Sequence, residues 1–183
     1  HGAKTSGTGL TDCTSAAKAT SSSCISAISS AMSSQKTTLG GEEVFSLGYP
    51  DQSEAYNTGP NAQHPKYTPT NVAIGPNGDI YVADGYGSSY IIQYDSSGKY
   101  VRTFGGEGDA PGKLKCPHGL MVDTRGKEPL LLVADRANNR LQYFTLDGRH
   151  VKFDFGVIYP CYFDTYGGDL LIPDLSARVT IMD

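Results

Sequence analysis

Three side chains that could take part in catalysis or metal binding lie at positions where the two most similar copies of an internal repeat have different residues. Tyr86 and Arg136 lie in equivalent turns of the two copies, and His118 follows the proline that begins the second copy. A histidine at this position can ligate a metal or make hydrogen bonds, and the sequence leaves both interpretations open. Residues that differ on a shared frame are the better functional candidates. We therefore take Tyr86 and Arg136 as candidate catalytic residues and His118 as a candidate metal ligand.

Other polar residues recur from copy to copy, which indicates a structural role. Asp84, Asp135 and Asp174 occupy equivalent turns, and Arg140 and Arg178 occupy equivalent strand starts. An acid and a base that return at the same spacing predict turn capping and ion pairs rather than catalysis.

His64 is a second candidate ligand. It lies in the loop before the first complete copy, and this loop could bring it to the same rim as His118.

The frame that positions these residues is a repeat of short apolar runs. Asn-Gly, Ser-Gly and Asp-Gly turns separate the runs, and such turns join strands into hairpins. About four short strands in a repeat of roughly 40 to 50 residues predict an all-β fold of β-propeller blades, whereas a β-sandwich would show no internal copy. The chain is expected to hold about two and a half to three blades. These span 69–106 and 117–153, with a partial blade at 160–183 and the end of a preceding blade and its loop at 41–68, in which residues 43–48 match a closing strand.

Residues 1–40 differ in composition from residues 41–183, which form the predicted propeller region. They contain 10 Ser, 7 Thr and 6 Ala, and Ala17, Cys24, Ile28 and Met32 recur at helical spacing. This pattern predicts a Ser-, Ala- and Thr-rich extension with one or two short helices, and the alternative is a flexible or glycosylated linker.

The overall charge excludes some classes of partner. The net charge is -4 and there is no basic cluster, which disfavours nucleic-acid binding. The sequence contains no run of about 18 apolar residues, the length needed to span a membrane.

The four cysteines show no Cys-x-x-Cys spacing, so zinc-ribbon and thioredoxin chemistry are disfavoured. We expect a disulfide between Cys116 and Cys161, which flank prolines at corresponding places in adjacent copies. A second disulfide could join Cys13 to Cys24 if the segment between them forms a hairpin. An even number of cysteines without metal spacing favours an oxidising, extracytoplasmic setting.

The segment 133–144 resembles an NHL repeat, a propeller motif in which an Asp-Arg turn precedes Asn and an Arg-aliphatic-Gln strand. More narrowly, residues 69–153 resemble two blades of the peptidyl-α-hydroxyglycine α-amidating lyases, six-bladed zinc propellers of secretory compartments, and of their bacterial NHL relatives. The resemblance implies that this chain is part of a six-bladed propeller. The shared stretches are 69–73, 81–86, 97–99, 117–120 and 133–136.

The same resemblance implies roles for single residues. In these lyases three histidines from different blades hold zinc, a tyrosine of an Asp-Gly-Tyr turn acts at the reacting hydroxyl, and an arginine of an Ala-Asp-Arg turn lines the pocket. By motif, His118 corresponds to one zinc ligand, Tyr86 to the tyrosine and Arg136 to the arginine. Three neutral imidazoles leave zinc an open position for a substrate oxygen. Calcium is implied by the resemblance alone.

This chain also departs from the family pattern. The other two histidines would belong to a blade before Pro69, where the chain has its Ser-, Ala- and Thr-rich segment, and to a blade beyond Asp183. The positions of the lyase cysteines are Gly87 and Leu132 here, so the lyase disulfides are absent.

Two hypotheses follow. The first is an extracellular or periplasmic NHL-type propeller whose central-channel site cleaves a carbinolamide-like small molecule or peptide with zinc, Tyr86 serving as base and Arg136 orienting a carboxylate. The second is a non-enzymatic binding or structural module that assembles with further blades or other copies, as an oligomer or fibre, through exposed sheet edges and the N-terminal segment.

Overall fold

The structure is a computed structural model that describes residues 18–19, 23–28, 33–59 and 63–183. It is an all-β fold of four antiparallel sheets, and within each sheet the strands lie in chain order. This confirms the predicted class of β-propeller blades. The only helix among the described residues is a single 3-10 turn, Arg136–Asn138.

The first sheet contains β1 (Lys18–Ala19), β2 (Ser23–Ile28), β3 (Ser33–Thr38) and β4 (Glu43–Leu47). The second contains β5 (Asn71–Ile74), β6 (Ile80–Ala83), β7 (Tyr90–Tyr94) and β8 (Tyr100–Gly105). The third contains β9 (Pro117–Asp123), β10 (Leu130–Asp135), β11 (Arg140–Phe144) and β12 (His150–Asp154). The fourth contains β13 (Asp164–Tyr166), β14 (Asp169–Pro173) and β15 (Val179–Met182).

The helices predicted for residues 1–40 are wrong where the structure describes that segment. β2 pairs with β3, and β3 pairs with β4 across a turn at residues 39–42. Pairing with neighbouring strands decides the conformation here, because the helical stripe of small residues offers little surface to bury. Ala17 and Met32, two members of that stripe, lie outside the described residues.

These strands also change the number of blades. The segment 43–48, which the sequence predicts as the closing strand of an earlier repeat, contains β4, the edge strand of the first sheet. The described residues form three four-stranded sheets and one three-stranded sheet, more than the predicted two and a half to three blades. The predicted boundary near residue 40 falls in the turn of a hairpin.

Neighbouring sheets pack face to face through alternating side chains. In β6, Ile80 and Val82 contact the core on the side of the first sheet, whereas Tyr81 and Ala83 contact the core shared with the third. In β10, Leu131 and Val133 face the second sheet, while Leu132 and Ala134 face the fourth. Successive side chains of a strand point to opposite faces, so a central blade needs apolar residues at every position.

Two glycines allow the close contacts that bring functional residues together. A Cβ on Gly85 would lie 2.1 Å from the Pro117 carbonyl oxygen, and a Cβ on Gly119 would lie 2.7 Å from the Cys161 carbonyl oxygen. Both distances are shorter than atoms tolerate, so only glycine fits. These positions adjoin Tyr86 and His118, and they let the turns of neighbouring sheets approach.

Candidate active site

The structure brings Tyr86, His118 and Arg136 together at one end of the sheets. Tyr86 lies in the turn after β6, His118 is the second residue of β9, and Arg136 begins the 3-10 turn after β10. The Tyr86 hydroxyl lies 2.9 Å from His118 Nε2, and Arg136 Nη1 donates to the same hydroxyl at 3.3 Å. The Arg136 guanidinium carbon lies 5.1 Å from the centroid of the Tyr86 ring.

His118 is held from its other side by the segment that leads into the fourth sheet. Its Nδ1 lies 3.0 Å from the Cys161 carbonyl oxygen, which can only accept a hydrogen bond. In the neutral ring Nδ1 therefore carries the proton, and Nε2 accepts from the Tyr86 hydroxyl. Donation runs from Arg136 to Tyr86, from Tyr86 to His118 and from His118 to Cys161, so each member is oriented.

Burial favours the neutral form of the His118 imidazole. The residue is 3% exposed, and this desolvation lowers its pKa below the usual 6.5; the nearby Arg136 charge lowers it further, while the bond to Cys161 opposes the shift. A neutral imidazole can accept a proton or ligate a metal.

This pKa shift predicts a pH dependence of stability. The unfolded chain takes up a proton on His118 near pH 6.5, but the folded chain resists it until a lower pH, so acid favours unfolding. We expect the free energy of unfolding to fall between pH 7.5 and 5.5, measured by urea denaturation. The His118→Gln variant should show a shallower fall, and an equal fall in both proteins would contradict the assignment.

Cys116 belongs to the same group and was not singled out as a site residue from the sequence. Arg136 Nη2 lies 2.9 Å from its sulfur. The residue has a positive φ of 55°, and its N–H donates to the Ser89 hydroxyl at 3.3 Å. Its position beside Pro117 and His118 could have indicated that Cys116 lies near the site. Its contact with Arg136 could not be foreseen, because that contact depends on this unusual backbone conformation.

The predicted disulfide between Cys116 and Cys161 is not formed. The Cys116 sulfur faces the Arg136 guanidinium, whereas the Cys161 sulfur lies 3.5 Å from the Tyr159 carbonyl oxygen. The two thiols are thus directed to different groups. The other predicted pair cannot be assessed, because Cys13 lies outside the described residues.

The recurrent acids have the structural roles predicted for them. Asp135 forms a buried ion pair with Arg140 at 2.7 Å, and Asp174 forms an ion pair with the more exposed Arg178 at 2.9 Å. Asp84 lacks an arginine at the matching position and instead accepts from the Tyr56 hydroxyl at 2.6 Å.

The Asp135–Arg140 pair also fixes the loop that leads to Cys116 and His118. Asp135 accepts from the Lys115 N–H at 2.7 Å, and Arg140 donates to the Asp109 and Lys113 carbonyls at 2.8 and 3.1 Å. The ion pair therefore holds the loop that leads to Cys116 and His118.

His64 packs elsewhere. Its ring lies edge-on to Tyr49, 5.8 Å between centroids, and lines a cavity of about 330 Å³ with Tyr49, Asp51, Tyr56 and Asn57. The structure thus does not bring His64 to His118.

The zinc implied by the family resemblance fits these residues incompletely. The bond from His118 Nδ1 to a carbonyl is typical of metal-bound histidines, but Nε2, which would face the metal, accepts from Tyr86. No group of three His, Cys, Asp or Glu side chains that could hold a metal occurs among the described residues. The described residues thus supply one candidate ligand, His118, and the three side chains can also transfer protons and bind an anion.

Unlike most of the other arginines, Arg136 has no carboxylate partner within the described part of the chain. The ion pairs among residues 33–59 and 63–183 involve Arg125, Arg140, Arg149, Lys152 and Arg178. Arg136 instead contacts a phenol and a thiol, which leaves its charge available to an anion.

No protein-family model matches the chain. Peptidyl-glycine alpha-amidating monooxygenase A of Xenopus laevis is 36% identical over 123 residues, which is 60% of this chain and 13% of that protein. The probable peptidyl-alpha-hydroxyglycine alpha-amidating lyase of Caenorhabditis elegans is 36% identical over 80 residues, 42% of this chain and 22% of the relative. Human NHL repeat-containing protein 3 is 32% identical over 81 residues, 43% of this chain and 22% of that protein. The homologues of this chain therefore include amidating lyases and NHL-repeat proteins.

Solved propellers share the fold of this homologue of the amidating lyases. A chain of the nidogen/laminin complex matches with a TM-score of 0.63 and 20% identity, over 88% of this chain and 55% of that one. Virginiamycin B lyase from Staphylococcus aureus matches with a TM-score of 0.62 and 13% identity, over 93% and 55%. The chain spans about half the length of these structures and under a quarter of the relatives above. Among the described residues, no helix is long and apolar enough to cross a bilayer.

Proposed function

We propose that this chain forms part of an NHL-type β-propeller with a lyase-like site built on Tyr86, His118 and Arg136. The observation that carries the proposal is the contact of all three, since the Tyr86 hydroxyl lies within 3.3 Å of both partners. These are the residues at the motif positions shared with the amidating lyases. The substrate class would be that in the name of the worm relative, a peptidyl-α-hydroxyglycine.

The geometry supports a proton-transfer mechanism. Arg136 binds the substrate carboxylate, and Tyr86 removes the proton of the α-hydroxyl while passing its own proton to His118 Nε2. The hydroxyl oxygen then forms a C=O double bond, and the C–N bond breaks with its electron pair moving to nitrogen. The nitrogen then takes the proton that His118 received, so the products are a primary amide and glyoxylate, and Tyr86 and His118 return to their starting protonation states.

The test is glyoxylate release from N-benzoyl-α-hydroxyglycine by the full chain. We expect turnover by the wild type and a loss of about 100-fold or more in kcat/KM for Tyr86→Phe, because general acid–base groups contribute about 10²–10⁴-fold. Tyr166→Phe is the matched control, since Tyr166 is 79% exposed and away from the site. Lack of turnover by the wild type, or an unchanged Tyr86→Phe variant, would refute the proposal.

Zinc dependence is a separate proposal, in which His118 is one ligand and residues other than those described complete the set. Its support is the bond that directs Nδ1 to the Cys161 carbonyl and so frees Nε2 once Tyr86 moves. The metal content of the purified wild type and His118→Ala, measured by mass spectrometry, tests it. Activity that survives chelation undiminished would rule zinc out.

An extracellular or periplasmic location is also proposed. Its support is the family resemblance. The other argument for an oxidising compartment was the predicted Cys116–Cys161 disulfide, which is not formed. Cell fractionation tests it directly.

The alternative function is a non-enzymatic structural module that assembles with further blades or other copies. Strand β15 favours it, because this strand lies at an edge of the fourth sheet and its Val179 and Ile181 are 57% and 63% exposed. An apolar edge strand can accept another strand or a further blade. This alternative predicts concentration-dependent association in sedimentation, and a monomer at all concentrations would count against it.

A further inference from the structure

The repeat places two apolar residues where the site has Cys116 and Arg136. Cys116 and Tyr159 both precede the proline that begins a copy, and both have positive φ angles, 55° and 45°. Arg136 and Leu175 both follow the recurrent Asp of the turn. The third sheet therefore presents a thiol and a guanidinium at the rim, and the fourth presents Tyr159 and Leu175 at the equivalent places.

Hydrogen bonds connect this apolar pair to the site. The Tyr159 N–H donates to Asn139 Oδ1 at 2.9 Å, and the Asn139 N–H donates to the Arg136 carbonyl at 3.1 Å. The Leu175 N–H in turn donates to the Tyr159 carbonyl at 3.2 Å. Two residues beyond Tyr159, the carbonyl of Cys161 accepts from His118. The apolar pair thus lies beside the residues that hold Arg136 and His118.

The rim shelf, defined as Ile158, Tyr159 and Leu175, exposes large apolar side chains to solvent. Their exposed fractions are 46%, 46% and 57%. A tyrosine with φ of 45° is unusual because a bulky side chain disfavours the left-handed region, and such backbone conformations concentrate at functional sites.

We propose that the rim shelf binds the apolar group of an organic anion whose carboxylate is held by Arg136. The proposal rests on the proposed function above and narrows its substrate class to carboxylates that carry a bulky apolar or aromatic substituent. The occupant follows from the connected chemistry. Arg136 has no carboxylate partner among the described residues, and Asn139 joins it to Tyr159, which with Leu175 exposes apolar groups, so a ligand needs one anionic and one apolar end. Tyr159 and Leu175 are then specificity-determining residues.

The experiment compares the binding of acetate and phenylacetate to the full chain by NMR titration, which requires no turnover. The wild type should prefer phenylacetate by about tenfold or more, and Tyr159→Asn and Leu175→Ser should each lower this preference several-fold while leaving acetate binding unchanged. Asparagine tolerates a positive φ, so the first variant keeps the backbone conformation. Val151→Thr, which changes an exposed apolar residue of strand β12, is the matched control and should behave as wild type.

The outcomes separate the two proposals. Equal binding of the two anions to the wild type, no binding of phenylacetate, or a preference that survives both shelf variants overturns the rim shelf. Acetate binding that is unchanged in Arg136→Gln overturns Arg136 as the carboxylate site, on which both proposals rest. If the wild type prefers phenylacetate to acetate but releases no glyoxylate, the proposed ligand class stands and the lyase reaction is rejected.

Discussion

Replacing Arg140 with methionine is expected to lower the free energy of unfolding by about 3–5 kcal/mol, since removing one member of a buried ion pair leaves an uncompensated charge. The side chains of Arg140 and Asp135 are only 8% and 0% exposed. Methionine keeps most of the volume of the arginine stem, so the loss would reflect the charge and the hydrogen bonds rather than a cavity. Urea denaturation measures it.

The fourth sheet supplies a matched control for this variant. Arg178 forms the equivalent ion pair with Asp174, but its side chain is 45% exposed, so water can replace the lost contact. Arg178→Met should therefore shift the urea midpoint far less than Arg140→Met. Similar shifts in the two variants would show that burial does not increase the contribution of the Asp135–Arg140 pair to stability.

Arg136→Gln is expected to reduce kcat/KM for N-benzoyl-α-hydroxyglycine by about 100-fold or more. A partly buried, hydrogen-bonded charge that loses its partner costs about 2–5 kcal/mol, and glutamine cannot supply the charge for the carboxylate. Arg136→Lys should give a smaller but clear loss, because a lysine cannot contact Tyr86 and Cys116 at the same time. Glyoxylate release at several substrate concentrations separates the effects on kcat and KM.

Two controls identify the cause of that loss. Arg102→Gln changes an exposed arginine that donates to the Asp147 carbonyl, and its kinetics should match the wild type. For a substrate in which a carboxamide replaces the carboxylate, the wild type and Arg136→Gln should have similar values of kcat/KM. Equal losses with the charged and neutral substrates would mean that Arg136 does not bind the carboxylate.

The blades could be predicted because their signals are local. Continuous apolar runs such as β6 and β10, with glycine-containing turns between strands, predict the strands, and successive side chains of each run then face opposite neighbouring sheets. The helical prediction was wrong for 18–19, 23–28 and 33–38 because the small residues at helical spacing offer little apolar surface to hold a helix. The strands there depend on pairing with β4, which is information from another part of the chain.

The site could be predicted only in part. Tyr86, His118 and Arg136 break the repeat and share a motif with the lyases, so the sequence identifies them as a group. The part played by Cys116 could not be predicted, because it depends on a positive φ angle and on the conformation of the Arg136 side chain. The same orientation of Cys116 explains why the disulfide prediction failed.

The hydrogen-bonded group at the rim crosses the boundaries between repeats: Tyr86 comes from the second sheet, His118 and Arg136 from the third, and the Cys161 carbonyl belongs to the segment that leads into the fourth. In arrays of repeats, cooperativity depends on the coupling between neighbours. A ligand shared by Tyr86 and Arg136 would add to that coupling and tie separate repeats into a single unfolding unit. Native-state hydrogen exchange should then slow in both sheets at once, so occupancy of the site would act as a reversible crosslink.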